Sequence, residues 1–310
     1  MLKKIAFKKF IIISLSFLIL LIIYFFPTNN EYNIKTTLTY SNPKTMPIYL
    51  VDNNDLVARF EIIQKSENIL DTIEEIISNL TIDQKNSNHI PNNFKKILPT
   101  GTKLLNKELE NDLLKLNFSK ELLYVSKENE EKMLEALIYS LTEIKEVKKI
   151  MIFIEGENLK ELPNSKKKLP LILNRNYGIN KIYDLESMKD ISKVTTYYVN
   201  KIEGYSYFTP ITTISNNKKE KIEVIIEKLK SSPTYQTNLV SYLTASAELL
   251  NYEILENSIN LSFNNEILSL EEDKVIEEVK YSIALSVRDT YDISETIFYV
   301  DNLLIDVFFI

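Results

Sequence analysis

The sequence predicts an α+β protein: two tandem α/β sandwich modules, each a mostly antiparallel sheet with two helices on one face, behind an amino-terminal transmembrane helix. Three observations carry this. An uncharged run lies near the start, two distant stretches match without a gap, and the same order of strand-like and helix-like segments surrounds both copies of that match.

The run Phe10 to Phe26 reads FIIISLSFLILLIIYFF. At 1.5 Å per residue a helix of about 17 residues reaches roughly 26 Å, just enough for a hydrocarbon core near 30 Å. Lys3, Lys4, Lys8 and Lys9 precede it, whereas Pro27, Asn29, Asn30 and Glu31 follow. The positive flank stays cytoplasmic, so the reading is a single-pass membrane protein with its amino end inside and the bulk of the chain extracytoplasmic. A cleaved signal peptide has a similar start, but no small-x-small site follows Phe26. Residues 1–27 are thus read as basic tip and anchor, with the lipid bilayer as a partner, and 28–44 as a linker.

The match places Leu105–Leu122 (LNKELENDLLKLNFSKEL) over Leu250–Ile267 (LNYEILENSINLSFNNEI). In the first copy, Pro47–Asp52 and Leu56–Ile63 alternate as a hairpin around Asn53 and Asn54. A helix capped by Ser66 carries Ile69, Leu70, Ile73, Ile76 and Ile77 at helical spacing. Thr102–Glu110 and Leu113–Phe118 form the next strand pair. A helix over Glu128–Glu146 has Met133, Leu134, Leu137, Ile138, Leu141 and Ile144 on one stripe, and Ile150–Ile154 closes the unit. The second copy repeats these events: Val194–Lys201 and Tyr205–Ile214 around Glu203-Gly204, and a helix from an Asn217/Glu220 capping box with Ile222, Ile225, Ile226 and Leu229. Strands Glu248–Leu255 and Ser258–Phe263 follow. A Ser269/Glu272 capping box then leads into Val275, Ile276, Val279, Ile283 and Val287, and Glu295–Asp301 is the closing strand. Tyr139-Ser140-Leu141 against Tyr281-Ser282-Ile283 suggests the register of the second helices. The modules are 45–157 and 193–310, joined by a Pro-, Asn- and Lys-rich connector, 158–192.

Composition narrows the chemistry. The 310 residues carry 43 acidic and 37 basic side chains, a net charge of −6, and 45% apolar residues, ample for two buried cores. With no cysteine, one histidine and four glycines, disulfide frameworks, Cys/His metal sites and histidine-activated nucleophiles lose their raw material. Weak acidity argues against nucleic acid as a partner. Three arginines amid a Lys, Asn and Ile excess read as coding bias rather than as a site.

Each candidate for chemistry has a plain alternative. His89, in NSNHIPNN, reads as a solvated loop residue. Glu74-Glu75, Glu130-Glu131 and Glu277-Glu278 are neighbours about 100° apart on a helix, so they do not converge as acid/base pairs. Glu271, Glu272 and Asp273 suit a helix amino terminus rather than calcium. There is no Gly-rich phosphate loop. No catalytic, cofactor or metal residue is expected. Lys166, Lys167 and Lys168 read as a solvated linker or a contact to anionic polymer. Tyr197, Tyr198, Tyr205, Tyr207 and Phe208 crowd one hairpin, either as cross-strand packing or as an interaction surface, for which Tyr197, Tyr205 and Tyr207 are the candidates.

PTGTKLLN with LKLNFSKEL, then EALIYSLTEIKEVKKIMIFIEG, resembles the GerMN domain, and nearly the whole chain after Thr45 fits two copies. The resemblance implies a ring-building-motif-like fold and a non-enzymatic part in spore formation or germination. It further implies protein partners in an envelope complex between mother cell and forespore, and homo-oligomers. A lipidation cysteine is common in such proteins; none is present here, so attachment would rest on the Phe10–Phe26 helix. The alternative is an envelope binding module for cell-wall glycan or peptide.

Overall fold

The computed structural model describes residues 14–18, 21, 44–83, 90–202, 205–233, 238–269 and 274–310. The chain divides into Met1–Asn42 and Pro43–Ile310. Of the first unit, 14–18 and 21 are described, as helix. Most of the expected anchor lies outside the described residues, among which no helix is long and apolar enough to cross a membrane. His89, the Glu203-Gly204 turn and Glu271 to Asp273 also lie outside them.

The second unit contains both copies. The first comprises β1 (Thr45–Asp52), β2 (Val57–Ile63), α1 (Ile69–Leu80), β3 (Phe94–Lys95), β4 (Leu104–Glu110), β5 (Leu113–Phe118), α2 (Glu130–Leu141), β6 (Lys149–Ile154) and β7 (Glu157–Asn158). The connector supplies β8 (Ile182–Asp184). The second copy runs β9 (Ser192–Ile202), β10 (Tyr205–Ser215), α3 (Lys221–Leu229), β11 (Leu249–Ile254), β12 (Ser258–Phe263), α4 (Glu277–Tyr291), β13 (Glu295–Val300) and β14 (Leu303–Phe309).

These strands do not make one antiparallel sheet per copy, which corrects the expected layout. Each copy keeps its own four-stranded sheet, β4-β5-β6-β7 and β11-β12-β13-β14. Within them β5–β6 and β12–β13 are parallel, because a strand, a crossover helix and a second strand in one sheet run in the same direction. The two leading hairpins instead join each other. β2 pairs antiparallel with β10 through Arg59 and Phe208, giving a six-stranded sheet that spans both copies. Helices α1 and α2 pack on β1, and α3 and α4 on β9. One buried apolar cluster runs from Ile48 and Leu50 through Leu134 and Leu137 to Leu116 and Ile152. The other runs from Val194 and Tyr198 through Ile225 and Ile283 to Leu261 and Phe298. At about 25 cal/mol per Å², a stripe of five or six such aliphatics contributes on the order of 10 kcal/mol before entropy.

Helix ends differ from the predicted caps for local reasons. Asn68, not Ser66, caps α1, with its Oδ1 accepting from Leu70 N at 2.8 Å. Ser66 is engaged through its carbonyl, which accepts from Gln64 Nε2 at 2.7 Å. Asn217 closes a turn on Lys219 N at 3.0 Å, so α3 starts only at Lys221. α4 starts at Glu277 with Ile276 at its cap, later than the expected Ser269 box. The Tyr-Ser register is also corrected: Ser140 and Ser286, not Ser282, occupy equivalent places, each accepting from a strand N–H, Tyr49 N at 2.8 Å and Tyr197 N at 3.0 Å. Ser282 lies one helical turn earlier than Ser286, and its carbonyl accepts from Ser286 Oγ. Finally, Asp306 to Phe309 lie within β14, antiparallel along β13, and Ile310 N donates to Ser294 O at 3.0 Å.

Candidate functional site: the junction between the repeats

The seam between β2 and β10 opens on either side of the Arg59–Phe208 pair, and side chains fill what the ladder leaves. Pro210 has no N–H to donate. Asn180, in the connector, acts as a substitute peptide group there. Its Oδ1 accepts from Val57 N at 2.9 Å, and its Nδ2 donates to Val57 O and Pro210 O, both at 2.8 Å. Nearby, Lys181 pairs with Glu135 at 2.5 Å and stands 4.1 Å from the Tyr177 ring centroid.

Behind the seam lies a buried ionic cluster to which both copies contribute. Tyr49 Oη and Tyr197 Oη meet at 3.0 Å. Each also donates to a carboxylate of its own copy, Tyr49 to Oε1 of Glu143, just past the end of α2, at 2.8 Å and Tyr197 to Oδ2 of Asp289, in α4, at 2.6 Å. Arg175, from the connector, links the halves: Nη2 donates to Glu143 at 2.7 Å, Nε to Thr142 Oγ1 at 2.9 Å, and Nη1 to Asp289. Its guanidinium lies 4.8 Å from the Tyr139 ring centroid. Arg288, from α4, grips Glu143 across the junction in a two-pronged pair, 2.9 and 2.7 Å.

The electrostatics follow from burial opposed by charge. Desolvation raises the Glu143 pKa, but the guanidinium groups of Arg288, Arg175 and Arg59 outweigh it and hold the carboxyl well below the usual range. Desolvation, with the Glu143 charge next, pushes the Tyr49 hydroxyl far above its ordinary value. Tyr197 moves the same way, through burial first and the Asp289 charge second. A permanently ionised carboxylate and neutral tyrosines have no proton to trade near neutrality. The cluster is therefore a lock: it fixes one copy against the other.

The candidate tyrosines separate. Tyr197 is wholly buried in this cluster, Tyr207 is 5% exposed, and Tyr205 is 75% exposed. Tyr207 Oη donates to Asp52 Oδ2 at 3.0 Å, and burial raises the Asp52 pKa. The three do not share a surface. The basic run is engaged internally, Lys167 with Glu131 at 2.6 Å and Lys168 with Glu161 at 2.8 Å. Of the acidic neighbours, Glu130 accepts from the backbone of Asn164 and Ser165, and Glu277 pairs with Lys280. Arg175 and Asn180, the residues that join the copies, escaped sequence reasoning because the connector has no periodicity. The signal was present in the arginines themselves. Of the three, Arg175 and Arg288 bind Glu143 directly and Arg59 acts on it through its charge, and a planar fork suits buried carboxylates where lysine does not.

Comparison with known proteins agrees with this two-copy architecture. The family described as "Germane: Sporulation and spore germination" matches residues 24–160. The spore germination protein GerM of Bacillus subtilis is 27% identical over 256 residues, 79% of this chain and 68% of that protein. The solved tandem GerMN domains of the sporulation protein GerM from Bacillus subtilis superpose with a TM-score of 0.75 at 25% identity, covering 84% of this chain and 92% of that one. The chain is GerM-like: its two copies together match the tandem GerMN domains of GerM.

Proposed function

We propose that this protein is a non-enzymatic assembly protein of sporulation or spore germination, held at a membrane by its Phe10–Phe26 segment with the tandem domains outside, and part of a ring or channel complex between mother cell and forespore. The observation that carries the reading is the junction. The shared sheet and the Arg175–Glu143–Arg288 cluster turn two domains into one rigid block. Rigidity suits a component that must present fixed surfaces to neighbours. Among the described residues the block also leaves strand edges unpaired at β4, β11 and β14, which other chains can extend. Kinship with GerM over both domains supports the sporulation context. Sedimentation of the purified chain at rising concentration, alone and with candidate channel components, tests assembly; a monomer under every condition defeats it. Disrupting the gene should block spore formation or germination while vegetative growth continues.

A further inference from the structure

The outer face of the β11–β14 sheet carries a trough of about 200 Å³, lined by Asn251, Tyr252, Glu253, Asn260, Ser262, Tyr299 and Asn302. Strand register organises it in rows. Asn251 lies opposite Ser262 and Ser262 beside Tyr299; Glu253 lies opposite Asn260 and Asn260 beside Ile297. Asn302 stands at the β13–β14 turn with φ 63°. Asn260 Nδ2 donates to Glu253 at 3.1 Å, while its Oδ1 is buried without a hydrogen-bond partner.

The first domain shows what this face looks like when closed. There the corresponding rows are Asn106, Asn117, Phe153 and Glu108, Lys115, Met151, and the turn residue is Gly156. Lys115 bridges Glu110 at 2.7 Å and Glu108 at 3.3 Å, and Asn117 Oδ1 accepts from Gly156 N at 2.9 Å. There Lys115, Glu108, Glu110 and Asn117 are engaged within the domain. In the second domain the lysine becomes Asn260, the phenylalanine gains a hydroxyl as Tyr299, and the glycine gains an amide as Asn302, at a positive φ where glycine costs least. Asn251, Ser262, Tyr299 and Asn302 form no hydrogen bond within the protein through their side chains among the described residues.

We propose that this trough binds a neutral saccharide, one sugar ring laid against Tyr299 with its hydroxyl and amide groups bonded to Asn251, Asn260, Ser262, Asn302 and Glu253. Each asparagine offers a donor and an acceptor side by side, which matches a hydroxyl that must both give and receive a bond. A tyrosine supplies the apolar face with a polar rim. With one carboxylate and no cation lining it, the trough does not suit phosphate or other anions. A peptide strand would find its backbone partners along an open edge such as β14 rather than on this face.

The test uses the full-length chain in a detergent without a sugar headgroup, titrated by NMR or calorimetry with three tetrasaccharides, of β-1,4-N-acetylglucosamine, of glucose and of mannose, and with tetra-alanine. The expected result is saturable binding of at least one saccharide, weakened at least tenfold by Asn260→Lys and by Tyr299→Ala, and unchanged by Tyr205→Ala. Asn260→Lys installs the side chain that the first domain already holds at this position, and Asn302→Gly restores its turn residue. Both should therefore melt as the parent does, and Asn302→Gly should weaken binding severalfold. No saturable binding of any saccharide, equal binding by Asn260→Lys, or binding of tetra-alanine alone overturns the proposal. The outcome does not depend on assembly, which sedimentation of the same variants reads separately.

Discussion

The hydroxyls of Tyr49 and Tyr197, one from each domain, meet 3.0 Å apart inside the junction, each facing its own domain's carboxylate. Each tyrosine also has its backbone N–H held by a serine of the helix packed on its strand. Tyr49→Phe or Tyr197→Phe leaves a buried carboxylate short of a donor and should cost about 1–3 kcal/mol. Because both belong to one network, the double substitution should cost less than the sum. Urea denaturation of the four proteins measures this, and strict additivity would show that the domains are not coupled here.

Arg175→Ala should be more severe, on the order of 3–5 kcal/mol, since it removes the cation that Glu143 and Asp289 share and leaves two buried carboxylates with Arg288 as their remaining direct cation. Arg175→Lys should recover little of that, because an ammonium cannot reach Glu143, Asp289 and Thr142 together as the planar fork does. Thermal melting distinguishes the two; full recovery by lysine would mean that charge alone holds the junction.

Acid should weaken the fold through Glu143. Its folded-state pKa lies below the unfolded value of about 4.3. The stability it contributes is thus fully present above that value and is lost as pH falls toward the folded one. Glu143→Gln should lower stability at neutral pH and flatten the acid limb of the stability profile. Parallel acid limbs for parent and variant would remove Glu143 from this role.

Leu137 and Ile283 are wholly buried at equivalent places in α2 and α4. Leu137→Ala or Ile283→Ala should cost about 2–5 kcal/mol, and Leu137→Asp should prevent folding. Circular dichroism melting checks this; an unchanged midpoint for Leu137→Asp would refute the packing of the helix.

The tyrosines of the second hairpin should respond oppositely to their shared reading as a surface. Tyr207→Phe removes the donor to buried Asp52 and should cost about 1–3 kcal/mol. Tyr205→Ala, at an exposed position, should stay within about 0.5 kcal/mol. Equal midpoints for the two variants would contradict their placement.

Periodicity located most elements to within a few residues, as with β5 at Leu113–Phe118 and β12 at Ser258–Phe263, because alternation and helical stripes are set by local burial. It placed the α4 register one turn off. Tyr139-Ser140 and Tyr281-Ser282 look alike as letters, but only Ser286 stands where Ser140 does, under a strand N–H. β8 and the short β7 were missed because two or three residues carry no period, and the tyrosine hairpin was divisible into inside and outside only once α4 covered one face of β9.

By itself the sequence determined the duplication, the amphipathic helices and the hairpins, since each depends on the spacing of apolar residues along a short stretch of chain. Tertiary structure alone decided that the two hairpins share a sheet, and that Arg175 and Arg288 converge on Glu143. The reason is physical: a free strand edge accepts any matching edge, and a buried charge finds its partners across distances in sequence that no local pattern records.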